Sequence, residues 1–318
     1  MTHNLKAVLL ALLGFAIFAT HDVVIKTLGA TYSTFQIIFF SVLLGFPLVT
    51  LMLLRDTTVD TLIPKHPWLT AVRTLLSVTS AAGAFYAFSA LPLAQTYAIL
   101  FAAPLLITLL SIPVLGERVG WRRLMAVGVG LLGVMVVLQP GATTLSLGHI
   151  AGLVSAITGA AASVIMRKIG REERAVVLIL YPMVANFVIM AAILPTVYVP
   201  MPLADLGLVF IIALFALLGM VCMISAYRLG QAVMVAPMQY SQILWATFFG
   251  TLLFGETLAA PTIIGATIII ASGIYIVFRE DTSSINAPVL RTRSRLGMAA
   301  APQISTLMKP EDKRKIAN

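Results

Sequence analysis

The sequence predicts an all-α polytopic membrane protein: ten transmembrane helices arranged as two inverted five-helix repeats. Three observations predict it. Of the 318 residues, 60% are hydrophobic and only 10% are charged, against about 25% charged in a typical soluble domain. The basic residues fall on alternate connections between apolar runs. The second half of the chain repeats local patterns of the first.

A helix that spans a bilayer needs ~20 apolar residues. Cutting the chain at glycine, proline and charge clusters yields ten such runs, near 6–28, 34–54, 68–90, 93–115, 121–139, 148–168, 175–197, 205–229, 232–254 and 260–278. The runs are too long for strands and lack period-two alternation. The first run follows Lys6 like a signal peptide, but no small-x-small site stands near Ala19, so it is expected to remain in the protein.

Lysine and arginine stay on the cytoplasmic side of a membrane protein. With the N-terminus inside, that side receives every basic residue but Lys26, which lies within the first run. The opposite connections contain no lysine or arginine. Both termini are therefore expected in the cytoplasm. The same alternation accounts for the net charge of +9 without nucleic acid.

ASVIMRKIG at 162–170 lies under HDVVIKTLG at 21–29 at an offset of 141, and LLFGET at 252–257 lies under PVLGER at 113–118 at an offset of 139. Five helices per copy is an odd number, so the second copy enters the membrane upside down. This gives a first repeat over 1–141, a second over 142–279, and a disordered cytoplasmic tail over 280–318. The tail is rich in Pro, Ser and charge and has no apolar period.

The ten runs, the repeat and the pairs Gly116–Glu117 and Gly255–Glu256 ending the fourth helix of each half resemble the drug/metabolite transporter superfamily, and within it the EamA-domain members. FATHDVVIKTLG at 18–29 and LPLAQTYAILFAAPLLITLLSIPVLGERVG at 91–120 are similar to bacterial riboflavin transporters. The resemblance implies a secondary carrier in a bacterial inner membrane, with riboflavin uptake as the leading activity. S-adenosylmethionine uptake and efflux of amino acids or other metabolites are the alternatives. The expected partners are a small solute and the lipid bilayer, and a homodimer is compatible with both.

Ionisable groups inside a bilayer cost about 2.5–3.5 kcal/mol each on insertion scales. His21, Asp22 and Lys26 therefore stand out. Asp22 and Lys26 are spaced i, i+4, so they can face each other along one side of the helix. Two readings follow: Asp22 or His21 binds solute or a coupling proton, or Asp22 is a structural partner for a snorkelling Lys26. A second group comprises Tyr86, Gln95, Thr96, Tyr97, Tyr227, Gln239, Tyr240, Gln242 and Trp245. Rings to stack on and amides to hydrogen-bond suit a flat heteroaromatic solute, although the same residue types serve as interhelical glue. The expected cavity is lined by helices one to four and six to nine, with the fifth and tenth outside it.

Other patterns carry no chemistry. GVGLLG at 128–133 lies within an apolar run and is read as a packing face. His3, His21, His66 and His149 lie in separate segments without metal-ligand spacing. Cys222, the single cysteine, is expected to act as a small hydrophobe. Glu117 and Glu256 are expected at opposite membrane faces, so they make no catalytic pair. With no Walker A sequence, no cofactor and no clustered acids or histidines at one interface, an enzyme of lipid head groups is disfavoured.

Overall fold

The structure, a computed structural model, describes residues 2–53, 62–117, 119–140, 145–170, 172–230 and 232–283. These fold into α1 (Thr2–Gly29), α2 (Thr34–Leu53), α3 (Pro67–Ala90), α4 (Leu93–Leu100), α5 (Ala102–Leu115), α6 (Trp121–Leu138), α7 (Leu147–Ile169), α8 (Ala175–Val197), α9 (Leu203–Leu229), α10 (Ala232–Val235), α11 (Ser241–Phe254) and α12 (Ala260–Ser283), with a 3-10 turn at Ala236–Tyr240 between α10 and α11. Among the described residues there is no strand. The tail beyond Ser283, and Arg55, Arg118 and Arg171, lie outside the described residues. The last helix runs to Ser283, past its expected end at Phe278.

Seven helical segments among the described residues are long and apolar enough to cross a membrane: Leu5–Gly29, Leu93–Leu115, Trp121–Leu138, Leu147–Ile169, Val176–Val197, Leu203–Leu229 and Ala260–Val277. Thr34–Thr50 is apolar but shorter. The two remaining predicted runs differ for physical reasons. α3 carries Arg73 and a series of Ser and Thr residues. The predicted run over 232–254 is broken by the 3-10 turn.

The run predicted as one helix over 93–115 is also interrupted, at Phe101 between α4 and α5. Pro104 lacks an N–H and crowds the carbonyl four residues back, which favours a break there. Phe101 and Tyr240 are related by the repeat offset of 139, so the two helices break at equivalent positions. The two rings meet edge to face, with centroids 5.2 Å apart.

Packing between the halves follows the same exchange. α3 packs extensively along α7, and its image in the other half, α9, packs along α1. α6 pairs with α12 and α2 with α8, each with its own counterpart, while α4 packs on α11, the counterpart of α5. Small residues permit close approach at these seams. A methyl on Gly83 would lie 2.6 Å from the Ala151 carbonyl oxygen, and Ser80 and Ser155 exchange hydrogen bonds across α3 and α7 at 3.0 and 2.8 Å. Cys222 is half-buried and meets α1 at Gly14. The GVGLLG segment is a packing face in part: Gly130 and Gly133 pack closely, while Gly128 has open space beside it.

The helix ends are tied across the halves by polar contacts that are also images of one another. At one end Tyr32 donates to Asp205 (2.5 Å), and the Gln36 amide pairs with the backbone of Val199 (2.6 and 2.9 Å). The bond to Asp205 raises the Tyr32 phenol above its usual pKa. At the other end Glu173 accepts from the His66 backbone N–H (2.6 Å), and the His66 ring meets Glu172 (2.7 Å). Tyr32 maps onto Glu173 at the repeat offset of 141, and His66 maps onto Asp205 at the offset of 139.

α6 and α12 meet backbone to backbone. A methyl on Gly265 would lie 2.5 Å from the Gly133 carbonyl oxygen. Gly265→Val overpacks this contact and should destabilise the protein by about 1–3 kcal/mol. Thermal unfolding in detergent checks this; an unchanged midpoint contradicts the packing.

Candidate functional site

α1 places His21 and Asp22 in the protein interior, 2% and 1% exposed. Asp22 turns toward its neighbours, not toward Lys26: His21 Nδ1 lies 2.8 Å from Asp22 Oδ1, and the Tyr97 hydroxyl donates to Asp22 Oδ2. Lys26 points to the other half. Its Nζ pairs with Glu256 at 2.9 Å and donates to the Leu91 carbonyl at 2.5 Å. The facing Asp22–Lys26 pair that the spacing allows is therefore not formed, because Glu256 offers a closer carboxylate.

Glu256 reaches that position through a local constraint. Gly255 ends α11 in the left-handed region (φ 61°), a conformation glycine adopts without strain. The chain then turns back, Glu256 N–H donates to the Gly250 carbonyl (2.9 Å), and the Glu256 carboxylate accepts from Leu93 N–H at the start of α4 (2.9 Å). Gly116 ends α5 in the same way (φ 69°), and Glu117 pairs with Arg167 at 2.6 Å. Lys26 maps onto Arg167 at the offset of 141, and Glu117 onto Glu256 at the offset of 139. The two ion pairs are thus images of each other, one at each end, each joining the halves.

Beyond Asp22 runs an aromatic column. Tyr97 meets Phe88 edge to face (5.2 Å) and Phe101 at 6.0 Å, and Phe101 leads to Tyr240. Tyr240 is held against Gly273, where a methyl group would collide with its hydroxyl. His21, Asp22, Tyr97 and Tyr240 therefore belong to one continuous assembly.

The other residues singled out in the sequence go elsewhere. Gln95 meets the His149 ring at 3.1 Å. Thr96 is buried and bonds to the backbone carbonyls of Ala87 and Pro92. Gln242 is buried, and its Nε2 has no hydrogen-bond partner among the described residues. Trp245 is half-buried and stacks on Phe249 at 6.2 Å. Gln239 lies in the 3-10 turn, so the break separates it from the helical face of Gln242 and Trp245. Tyr227 packs with Ala7, Ala11 and Phe15 where α9 meets α1. Tyr86 is 39% exposed on the outer surface.

A cavity of about 90 Å³ lies between the halves, walled by α1, α2, α3, α8 and α9. Its lining is mainly apolar, with Phe18 and Phe85 among the walls and His21, Ser41 and Asn186 as the polar members. α6 and α12 do not contribute to it, and neither do α4, α5, α7, α10 and α11, which belong to the fourth, sixth and ninth runs expected in the lining. A second cavity of about 270 Å³ opens at the Glu256 end, lined by Gln95, His149 and Glu256 among others. Among the described residues no group of three or more His, Cys, Asp or Glu is placed to hold a metal ion.

Sequence reasoning passed over Ser41 and Asn186. Their signal was present, since each is a lone polar residue in the middle of an apolar helix. Arg73, counted with the basic residues of the cytoplasmic side, is drawn into the helix packing. Arg73 is 1% exposed and donates to the Leu178 carbonyl at 2.9 Å. Pro182 cannot supply the N–H that this carbonyl would take in a regular helix, and the arginine replaces it.

The EamA-like transporter family matches residues 5–139 and, a second time, residues 146–279. The chain belongs to that family. It is a multi-pass membrane transporter built from two copies of the EamA unit. Among similar proteins, the pseudopaline exporter CntI of Pseudomonas aeruginosa strain UCBPP-PA14 is 29% identical over 84% of this chain and 94% of its own. An S-adenosylmethionine uptake transporter of Rickettsia bellii is 24% identical over 82% of this chain and 90% of its own. A riboflavin transporter of Rhizobium johnstonii is 25% identical over 68% of this chain and 72% of its own. One solved crystal structure shares the fold, with a TM-score of 0.59 at 15% identity over 89% of this chain and 99% of its own.

The geometry separates the roles of Asp22 and Lys26. Asp22→Asn should lower transport about tenfold, the factor for ~1.4 kcal/mol of lost interaction, with normal protein level in the membrane. Adding Lys26→Met should lower transport further, because it orphans Glu256. Vesicle uptake measures both. Recovery in the double variant contradicts the pairing seen here.

Proposed function

We propose that this EamA-family transporter is a ten-crossing secondary carrier that takes up riboflavin across a bacterial inner membrane. Its repeats, 1–141 and 142–279, are inverted relative to each other, and both termini are cytoplasmic. The cavity between the halves holds the solute. The observation that carries this reading is the lining of that cavity, in which apolar and aromatic walls surround an imidazole, a hydroxyl and a carboxamide. Such a lining suits an uncharged planar heteroaromatic.

At about 90 Å³ the cavity is smaller than the ~300–1,000 Å³ of typical ligand pockets. Both image-related ion pairs are formed, which fits a conformer in which the central cavity is shut off from the outer cavity at the Glu256 end and from the Arg167 end. Transport then requires the pairs to part in turn: Lys26–Glu256 at the periplasmic end, Arg167–Glu117 at the cytoplasmic end. Inverted repeats that rock about a central site are a recurring transporter design. Alternation of basic residues supports the orientation, since the Arg167 end also carries Lys65, Arg122, Arg123 and Arg174.

S-adenosylmethionine uptake is the second reading. It is favoured by the fuller coverage of the Rickettsia relative. Competition decides between the two: excess unlabelled riboflavin, S-adenosylmethionine or an amino acid mixture is added to vesicles taking up labelled riboflavin. Riboflavin should block that uptake, with S-adenosylmethionine weaker by about tenfold or more. No specific uptake of labelled riboflavin contradicts the assignment.

A further inference from the structure

The central cavity carries two buried polar atoms, one an amide oxygen and one a hydroxyl, that nothing among the described residues satisfies. Asn186, 5% exposed, sits on α8 and Ser41, 8% exposed, on α2. Both line the cavity. Asn186 Oδ1 and Ser41 Oγ each lack a hydrogen-bond partner there.

The orientation of the Asn186 amide is fixed by chemistry. Its Nδ2 donates to the Pro182 carbonyl at 3.0 Å. A carbonyl only accepts, so the opposite arrangement would bring two acceptors together. The atom left over is therefore Oδ1, an obligate acceptor. His21 adds to the same bias. With Nδ1–H given to the Asp22 carboxylate, a neutral imidazole offers Nε2 as an acceptor. The serine hydroxyl adapts to either role.

An unsatisfied buried acceptor destabilises the empty protein. A solute that supplies donors removes that penalty, and one that supplies none leaves it in place. This asymmetry lets a buried polar site reject analogues that lack the matching group. The walls add a shape requirement through Phe18 and Phe85, while Met183 and Met220 in the same lining supply flexible volume for entry.

We infer that Asn186 and Ser41 form a specificity site for a planar heteroaromatic solute that presents an N–H or NH2 donor edge. The inference rests on the proposed solute cavity and names the chemical group read there. Riboflavin meets the requirement through its imide N–H, and S-adenosylmethionine through its adenine amino group.

The test combines two variants with a blocked analogue. Asn186→Leu and Ser41→Ala replace the acceptors with apolar groups. Solute-free Asn186→Leu should unfold in detergent at or above the wild-type temperature, because an orphaned acceptor has gone. Its riboflavin uptake should fall about tenfold, and that of Ser41→Ala by a smaller factor. Riboflavin methylated at the imide nitrogen should compete about tenfold less well than riboflavin for the wild type, yet equally well for Asn186→Leu. The inference is overturned if Asn186→Leu transports like the wild type, if it unfolds several degrees lower, or if the methylated flavin competes as well as riboflavin for the wild type. If the wild type takes up S-adenosylmethionine and no flavin, the riboflavin assignment fails by itself. The acceptor pair then stands if Asn186→Leu loses that uptake and falls if it keeps it.

Discussion

Two ion pairs hold the halves of this transporter together, and the rest of the architecture is arranged around them. Lys26–Glu256 and Arg167–Glu117 are related by the internal repeat, and each draws one partner from each half. Their side chains are partly buried, at 13–29% exposure, and removing one partner of such a pair leaves a charge unpaired. The two glycines in the left-handed region place the glutamates, so a local backbone requirement sets an electrostatic contact between distant helices. Beneath the Lys26 end, Asp22 is held by His21 and Tyr97 and does not compete for the lysine.

Aromatic residues related by the repeat offsets meet across the halves. Phe101 and Tyr240 meet at the breaks in equivalent helices. Phe46 and Phe187, related by the offset of 141, meet edge to face at 5.8 Å between α2 and α8. Helix breaks are tolerated in an apolar medium where neighbouring groups satisfy the freed backbone, and Arg73 does this for the Leu178 carbonyl. The seams of small residues are tight, while the cavity keeps an amide oxygen and a hydroxyl without partners among the described residues.

Much of this was legible in the sequence. Apolar runs and alternating basic residues are strong signals because lipid permits so few solutions. The Gly-Glu pairs marked the ends of α5 and α11, and the offsets of 141 and 139 anticipated which residues would be images. Partner choice was not legible. Helical spacing put Lys26 beside Asp22, but a carboxylate at the far end of the other repeat was closer in space. Tyr86 has the composition of a binding residue and faces outward. Ser41 and Asn186 have modest polarity, and only the fold reveals that both open on one cavity.

A carrier that works as proposed opens its two image-related ends alternately. Paired spin labels test it most directly in a Cys222→Ala background. Thr31→Cys with Leu203→Cys reports on the Lys26–Glu256 end, and Lys65→Cys with Glu172→Cys on the Arg167–Glu117 end. Alternation predicts that adding riboflavin lengthens the distance at one end while that at the other stays short, and that Glu256→Gln shifts the population toward opening at its own end. Distances that lengthen together at both ends, or that respond to neither riboflavin nor Glu256→Gln, would contradict alternating opening.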